Sequence, residues 1–254
     1  MSRSLSEQVV VVSGAGRGLG AAIATAFARE GAQVVVNYRA SRAQAEALAA
    51  TLGARAVALQ ADVRDASQVG AMFDTVERTM GPVTTVVHNA LADYRFNGDA
   101  RDTIATITPA KLLEQTNTAC VGALTLLQRA VPAMTQAGFG RVITIGSNLV
   151  QNPVVPYHDY TAAKSALLAF TRTAAAELGP RGITVNMVSG GLLRTTDASA
   201  ATPDAVFDLI AANTPLRRVT TPDELADTVL FFASPWARSV TGQNLIVDGG
   251  LVFG

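Results

Sequence analysis

The chain of 254 residues predicts an α/β fold: a single doubly wound domain on a seven-stranded parallel sheet with helices on both faces. Three observations carry this. Short apolar runs alternate with longer stretches of helical periodicity, the pattern of a parallel sheet covered on both sides. The first apolar run, Val9 to Val12, passes through a glycine-rich turn into the alanine-rich segment Ala21-Ala22-Ile23-Ala24. No linker, repeat or low-complexity block interrupts the alternation, so one domain over 1–254 is the economical reading.

Taken in order, strands are expected near 8–13, 33–37, 55–59, 83–87, 141–146, 182–188 and 243–247, each an apolar run too short for a helix. Helices are expected over 19–30, 42–52, 66–80, 109–137, 158–178 and 222–233, the fourth interval reading as a broken one, with a further short helix around 203–212. Two segments read as loops, 91–108 and the Thr/Ala/Asp-rich 195–202. Both follow strand C-termini, where open α/β sheets bind ligands, so they are expected to shape a substrate entrance, with a lid at about 192–220.

Composition narrows the function. Lys+Arg and Asp+Glu number 20 each, so no overall charge draws the chain to nucleic acid or a membrane surface. Cys120 is the single cysteine, which excludes an intrachain disulfide and fits a reducing compartment. With two histidines it makes no zinc spacing. Met1 to Gln8 is polar, and no later run reaches the ~20 apolar residues of a membrane span, so cytoplasmic residence is expected.

Two motifs carry chemistry. Ser13-Gly14-Ala15-Gly16-Arg17-Gly18-Leu19-Gly20 follows a strand and opens a helix. Glycines remove side chains where the backbone must turn and approach a ligand, and the helix N-terminus offers N–H groups to a pyrophosphate; the alternative is a turn that merely packs. At the end of the second strand stand Tyr38 and Arg39, with no carboxylate for a ribose 2′-hydroxyl. Arg39 and Arg17, with Ser41 and Arg42 nearby, suit a 2′-phosphate, so NADP(H) is favoured over NAD(H). The alternative makes Arg39 and Arg42 solvated residues at a helix start. Further on, Tyr160 and Lys164 lie four residues apart and project from one helix face. A tyrosine ionises near pH ~10, and a nearby ammonium favours the phenolate, drawing its pKa toward the range of a general acid/base.

Gly14, Gly18 and Gly20 in the spacing Gly-x-x-x-Gly-x-Gly, the Tyr160/Lys164 pair, and Ser147 thirteen positions before the tyrosine resemble the short-chain dehydrogenase/reductase family over essentially the whole chain. Asp62-Val63, Asn89-Ala90, Gly191 with Thr195, and the closing run from Thr241 to Gly250 match as well, and several look like bacterial 3-oxoacyl-(acyl-carrier-protein) reductases. The resemblance implies a Rossmann-type domain and hydride transfer between nicotinamide and a ketone or secondary alcohol. Ser147 would hydrogen-bond the substrate oxygen, Tyr160 would give or take its proton, and Lys164 would hold the nicotinamide ribose. Implied cofactor contacts are Gly14, Arg17, Gly18, Leu19, Gly20, Arg39, Asp62 at the adenine amine, Val63 beside the ring, Asn89, Ala90, Tyr160, Lys164, Gly191, Leu193 and Thr195. Asp62 reads equally as a cap or turn residue. The implied substrate is a small carbonyl, alcohol or acyl thioester, free or on acyl carrier protein, and the implied assembly a homotetramer or dimer through the alanine-rich faces at 123–130 and 162–176. A sugar, polyol or steroid dehydrogenase, or a non-catalytic dinucleotide sensor, are the alternatives.

Three positions depart from the family pattern. The helix asparagine of many relatives falls at Ala119; Asn117, two residues or about 200° away, should face elsewhere unless the helix is distorted. An altered proton relay is therefore expected. Leu91 replaces a glycine beside the cofactor channel, and Gly190 a proline at the base of the lid. Tyr157 and His158 precede the catalytic tyrosine; His158 reads first as a helix-start residue, and Cys120 as a buried small one. Val150, Pro153, Val154, Val155, Leu192 and Phe207 suggest a partly apolar substrate.

Overall fold

Four consecutive valines, Val9–Val12, form β1, and all four are buried because a strand covered on both faces has no polar side. This computed structural model describes residues 3–92, 94, 96 and 101–253. The remaining strands are β2 (Gln33–Tyr38), β3 (Ala56–Gln60), β4 (Thr85–His88), β5 (Gly140–Ser147), β6 (Ile183–Gly190) and β7 (Asn244–Val247). They form one sheet in the order β3-β2-β1-β4-β5-β6-β7, and every pair is parallel. The fold class expected from the sequence is therefore observed.

The helices are α1 (Gly18–Arg29), α2 (Arg42–Leu52), α3 (Ala66–Met80), α4 (Pro109–Thr116), α5 (Gly122–Ala137), α6 (His158–Leu178), α7 (Asp204–Asn213) and α8 (Pro222–Ala233). Side-chain alternation along β1 assigns them to two layers. Val10 and Val12 pack with Ile23 and Phe27 of α1, Ala45 of α2, and Leu225 and Val229 of α8. Val9 and Val11 pack with Phe73 of α3, Leu126 and Met134 of α5, and Leu178 of α6.

The interval 109–137 is broken, as expected, by a π turn over Asn117–Val121 between α4 and α5. Such a turn inserts one residue into the helical ladder and so rotates the face that the next helix presents. Of the loop expected at 91–108, residues 93, 95 and 97–100 lie outside the described residues, as do Met1 and Ser2 of the polar N-terminus. The 195–202 segment is a run of turns, and α7 falls within the expected lid. Among the described residues no helix is long and apolar enough to cross a membrane, and no three His, Cys, Asp or Glu side chains form a metal-binding group.

Chain order places the site. From β1 the chain winds outward to β2 and β3, then returns to β4 on the other flank of β1. The crossovers on the two sides diverge there, opening a crevice beyond the C-terminal ends of β1 and β4.

Candidate active site

The crevice is a cavity of about 600 Å³, within the usual range for a bound small molecule. Its floor is the glycine turn between β1 and α1. Gly14 has φ 63°, and a Cβ there would stand 3.0 Å from the Ala90 Cα; a Cβ on Gly20 would run into the Gly14 carbonyl oxygen. Asn89 braces this turn by donating from Nδ2 to the Ser13 and Gly14 carbonyls, both at 3.1 Å. Ser13 Oγ accepts the Asn89 N–H at 3.0 Å and the Ala90 N–H at 3.1 Å, and lies 3.1 Å from His88 Nδ1. The N-cap of α1, Arg17, supplies no side-chain cap, so the first helical N–H groups face the cavity end without one. A side-chain-free cradle ending on an uncapped helix fits a dinucleotide pyrophosphate.

Gly14, Arg17, Gly18, Leu19, Gly20, Arg39, Asn89, Tyr160, Lys164, Gly191 and Leu193 all line the cavity, with Tyr38, Ala40 and Ser41 beside Arg39. Leu91, the glycine replacement, is on its wall too. Arg42 instead pairs with Glu46 at 3.6 Å. Ala90 stands behind the turn, on Ser13. Asp62 and Val63 are not among the lining residues. The Asp62 carboxylate accepts the Arg64 N–H at 3.0 Å and pairs with its Nη2 at 2.7 Å, contacts that hold the carboxyl below the usual range; this is the turn role. Val63 is core beneath α5. Thr195 is exposed, and its neighbour Thr196 lines the cavity opposite Gly18.

Tyr160 and Lys164 lie on the buried face of α6 beside the end of β5. Ser147, the last residue of β5, is buried; its Oγ accepts the Leu149 N–H at 3.3 Å, so it also caps the following turn. Lys164 Nζ donates to the Ile145 carbonyl at 2.6 Å and stands 5.6 Å from the Tyr160 ring centroid. The electrostatics run against the expected phenolate. Burial pushes the Tyr160 phenol up to about 12, opposed by hydrogen bonding from Ser147, and burial pulls Lys164 down to about 8. Spacing on a helix brings the two groups close; it does not reveal that both are desolvated, which disfavours either charge.

Ala119 is buried toward this site, and Asn117 is exposed even within the π turn, so no side-chain amide from this segment reaches Lys164. A residue the sequence reading missed lies here instead. His88, at the end of β4, is fully enclosed, its ring against Gly122. Burial, then the charge of Lys164, lower its pKa to about 4, with the Ala119 and Thr118 carbonyls acting the other way, and its Nε2 makes no hydrogen bond of normal geometry. The only sequence signal was a histidine ending an apolar central strand.

An aromatic group on the loop after β4 was also missed. Tyr94 and Phe96 line the cavity beside Tyr160, and Tyr157 packs with them. Pro153, Val154 and Val155, expected near the substrate, line a separate outer pocket with His158 and Thr161, while Phe207 is buried under Arg194. Cys120 is half-buried, and burial raises its thiol pKa, against a nucleophilic role.

A family model described as Enoyl-(Acyl carrier protein) reductase matches residues 14–252. A 3-oxoacyl-[acyl-carrier-protein] reductase of Staphylococcus aureus is 35% identical over 251 residues, covering 95% of this chain and 96% of the relative. One from Synechocystis is 34% identical over 257 residues, covering 98% and 99%. A short-chain type dehydrogenase/reductase of Picea abies is 33% identical over 258 residues, covering 98% and 93%. Among solved structures, a short-chain glucose/ribitol dehydrogenase from Brucella melitensis superposes with a TM-score of 0.89 at 27% identity, covering all of both chains. A putative gluconate dehydrogenase from Agrobacterium tumefaciens gives 0.88 at 28%, covering 98% and 97%.

Proposed function

Given that this chain belongs to the short-chain dehydrogenase/reductase family, and so is an oxidoreductase, we propose that it is an NADP(H)-dependent reductase of 3-oxoacyl thioesters. One observation carries the reading: Tyr160 and Lys164 stand on the wall of the same cavity whose floor is the glycine cradle, with Ser147 acting on Tyr160 from the end of β5. A reduced nicotinamide held by the glycine cradle and Lys164 would supply a hydride to a carbonyl carbon. Ser147 and Tyr160 hold the carbonyl oxygen, and Tyr160 delivers the proton that completes the alcohol. With its pKa near 12 the phenol enters protonated at neutral pH, which suits reduction. Lys164 has three N–H donors and commits one to Ile145, leaving two for ribose hydroxyls.

Arg39 on the cavity wall, with no carboxylate among Tyr38, Ala40 and Ser41, supports a 2′-phosphate and hence NADP(H). The 3-oxoacyl-reductase relatives, matched over nearly their whole length, support a thioester, carried free or on acyl carrier protein. The same reading places the protein in the cytoplasm as a homotetramer. Exposed Leu113 on α4 and Leu124 on α5 support helix-face assembly, and a monomer in sedimentation at micromolar concentration would count against it.

The test is NADPH and NADH consumption against acetoacetyl thioesters, sugars and cyclic ketones, with Tyr160→Phe alongside. Thioester reduction with NADPH, lost in the variant while NADPH still binds, is expected. Turnover of sugars with NADH and none of the thioester would replace the proposal with a sugar dehydrogenase.

A further inference from the structure

Arg101, on the stretch of chain before α4, uses its guanidinium twice. Its Nη2 donates to both carboxylate oxygens of Asp159 at 2.9 Å, and the two side chains are only 19% and 9% exposed. Its flat face lies over the Tyr94 ring, 4.2 Å from the centroid, with the Tyr157 ring at 5.4 Å. A lysine could make the ion pair but not the planar stack.

Both contacts lead to Tyr160. Asp159 Oδ1 accepts the Tyr160 N–H at 2.9 Å, in the first turn of α6, where that N–H has no partner within the helix. Tyr94 stacks on the Tyr160 ring with centroids 4.9 Å apart and planes 28° from parallel, and Phe96 stands edge-on to Tyr160 at 5.5 Å. The Tyr160 ring is therefore walled by an irregular loop rather than by the sheet or a helix. Such a wall holds a side chain only as firmly as its own supports allow. Arg101 is that support, and it is not among the cavity-lining residues, so it acts through its neighbours.

We propose that Arg101 is a positioning residue: by pairing with Asp159 and stacking on Tyr94 it clasps the loop after β4 to α6 and fixes the orientation of the Tyr160 ring. The inference rests on Tyr160 as proton donor, and it adds what holds that donor in place. A buried ion pair adds little net stability, since desolvating two charges offsets their attraction. Its effect here is geometric. Proton delivery needs the phenol within hydrogen-bond reach of the substrate oxygen, and a misplacement of about 1 Å costs on the order of a hundredfold in rate.

Removing one partner strands a buried charge and weakens the fold whatever the pair does for catalysis, so the decisive variant removes both charges. In Arg101→Met/Asp159→Asn no charge is stranded and the amide oxygen can still accept the Tyr160 N–H, so Tm should return close to wild type. With acetoacetyl-CoA, kcat should nevertheless fall at least about tenfold, while NADPH affinity by fluorescence titration stays within about twofold because the glycine cradle is untouched. Arg101→Lys keeps both charges and loses the stack, so its kcat should fall about threefold, the scale of one cation–π contact. Wild-type kcat in either variant, or kcat that follows Tm across the series, makes the pair merely structural and overturns this assignment alone, given that Tyr160→Phe measured beside them is inactive. Tyr160→Phe that keeps turnover, or wild type that binds NADPH and reduces no carbonyl compound offered, overturns the proton-donor reading and this assignment with it.

Discussion

Replacing His88 by Gln should flatten the acid limb of this protein's stability. In the folded state the imidazole titrates near 4 against an ordinary 6.5, chiefly because it is buried and secondarily because Lys164 is charged nearby. The group is depressed, so its neutral form is favoured by folding: the contribution is fully present above pH 6.5 and is lost as pH falls toward 4. Between these limits the unfolded chain binds the extra proton, and the loss amounts to about 3 kcal/mol. Lys164 stays protonated throughout this window, so its charge is a constant background. Asp62 and Asp65 also have lowered pKa values and weaken the fold on acidification, but they do so equally in both proteins and cancel in the difference. Gln keeps an acceptor for the Ser13 hydroxyl and does not titrate. Urea denaturation of wild type and His88→Gln at intervals from pH 7 to pH 4 reads the effect directly. The curves should converge or cross by about 3 kcal/mol as pH falls. Parallel curves would refute the assignment of a buried, neutral His88.

Other outcomes rest on the same geometry. Gly20→Ala pushes a methyl into the Gly14 carbonyl and the Asn89 amide, so NADPH affinity by fluorescence titration should fall at least about tenfold, and unchanged affinity would mean the cradle is not the binding surface. Arg39→Glu should weaken NADPH by about tenfold or more and NADH by much less; equal effects on both would remove the 2′-phosphate argument. Lys164→Met should abolish turnover while raising the Tm at pH 7. The lysine's folded pKa of about 8 lies below 10.5, so its burial penalty is present below pH 8 and is relieved between pH 8 and 10.5; a lowered Tm at pH 7 would contradict this.

The strands were legible because buried parallel strands read as unbroken apolar runs: Val9–Val12 needed no alternation to be recognised. α2, α3, α6 and α8 have the expected bounds and α1 and α7 are shifted by one residue, while the break in the 109–137 interval fell at a π turn that periodicity hints at and only packing localises. Of the site, the glycine turn and the Tyr160/Lys164 pair are local in sequence, and both line the same cavity. Asp62, read equally as an adenine contact or a turn residue, pairs with Arg64 two residues on, a local competition that no motif encodes. The rest depends on contacts between distant segments. Thr196 rather than Thr195 faces Gly18, since the irregular 195–202 segment has no periodicity to fix which side chain points inward. His88 and Tyr94 gain meaning only once β4 and the following loop are packed beside α6, 70 positions or so further along.

Ser13 also settles where a proton resides. Its oxygen accepts two backbone amides, from Asn89 and Ala90, so the single hydroxyl hydrogen has one remaining direction, toward His88 Nδ1. That nitrogen must be the bare one, and the neutral imidazole carries its hydrogen on Nε2, the tautomer being dictated from the far side of the ring. The N–H so fixed is turned to the side of the Thr118 and Ala119 carbonyls, within the field of Lys164. Ser13, which is not among the cavity-lining residues, thereby sets the polarity of the wall behind Lys164.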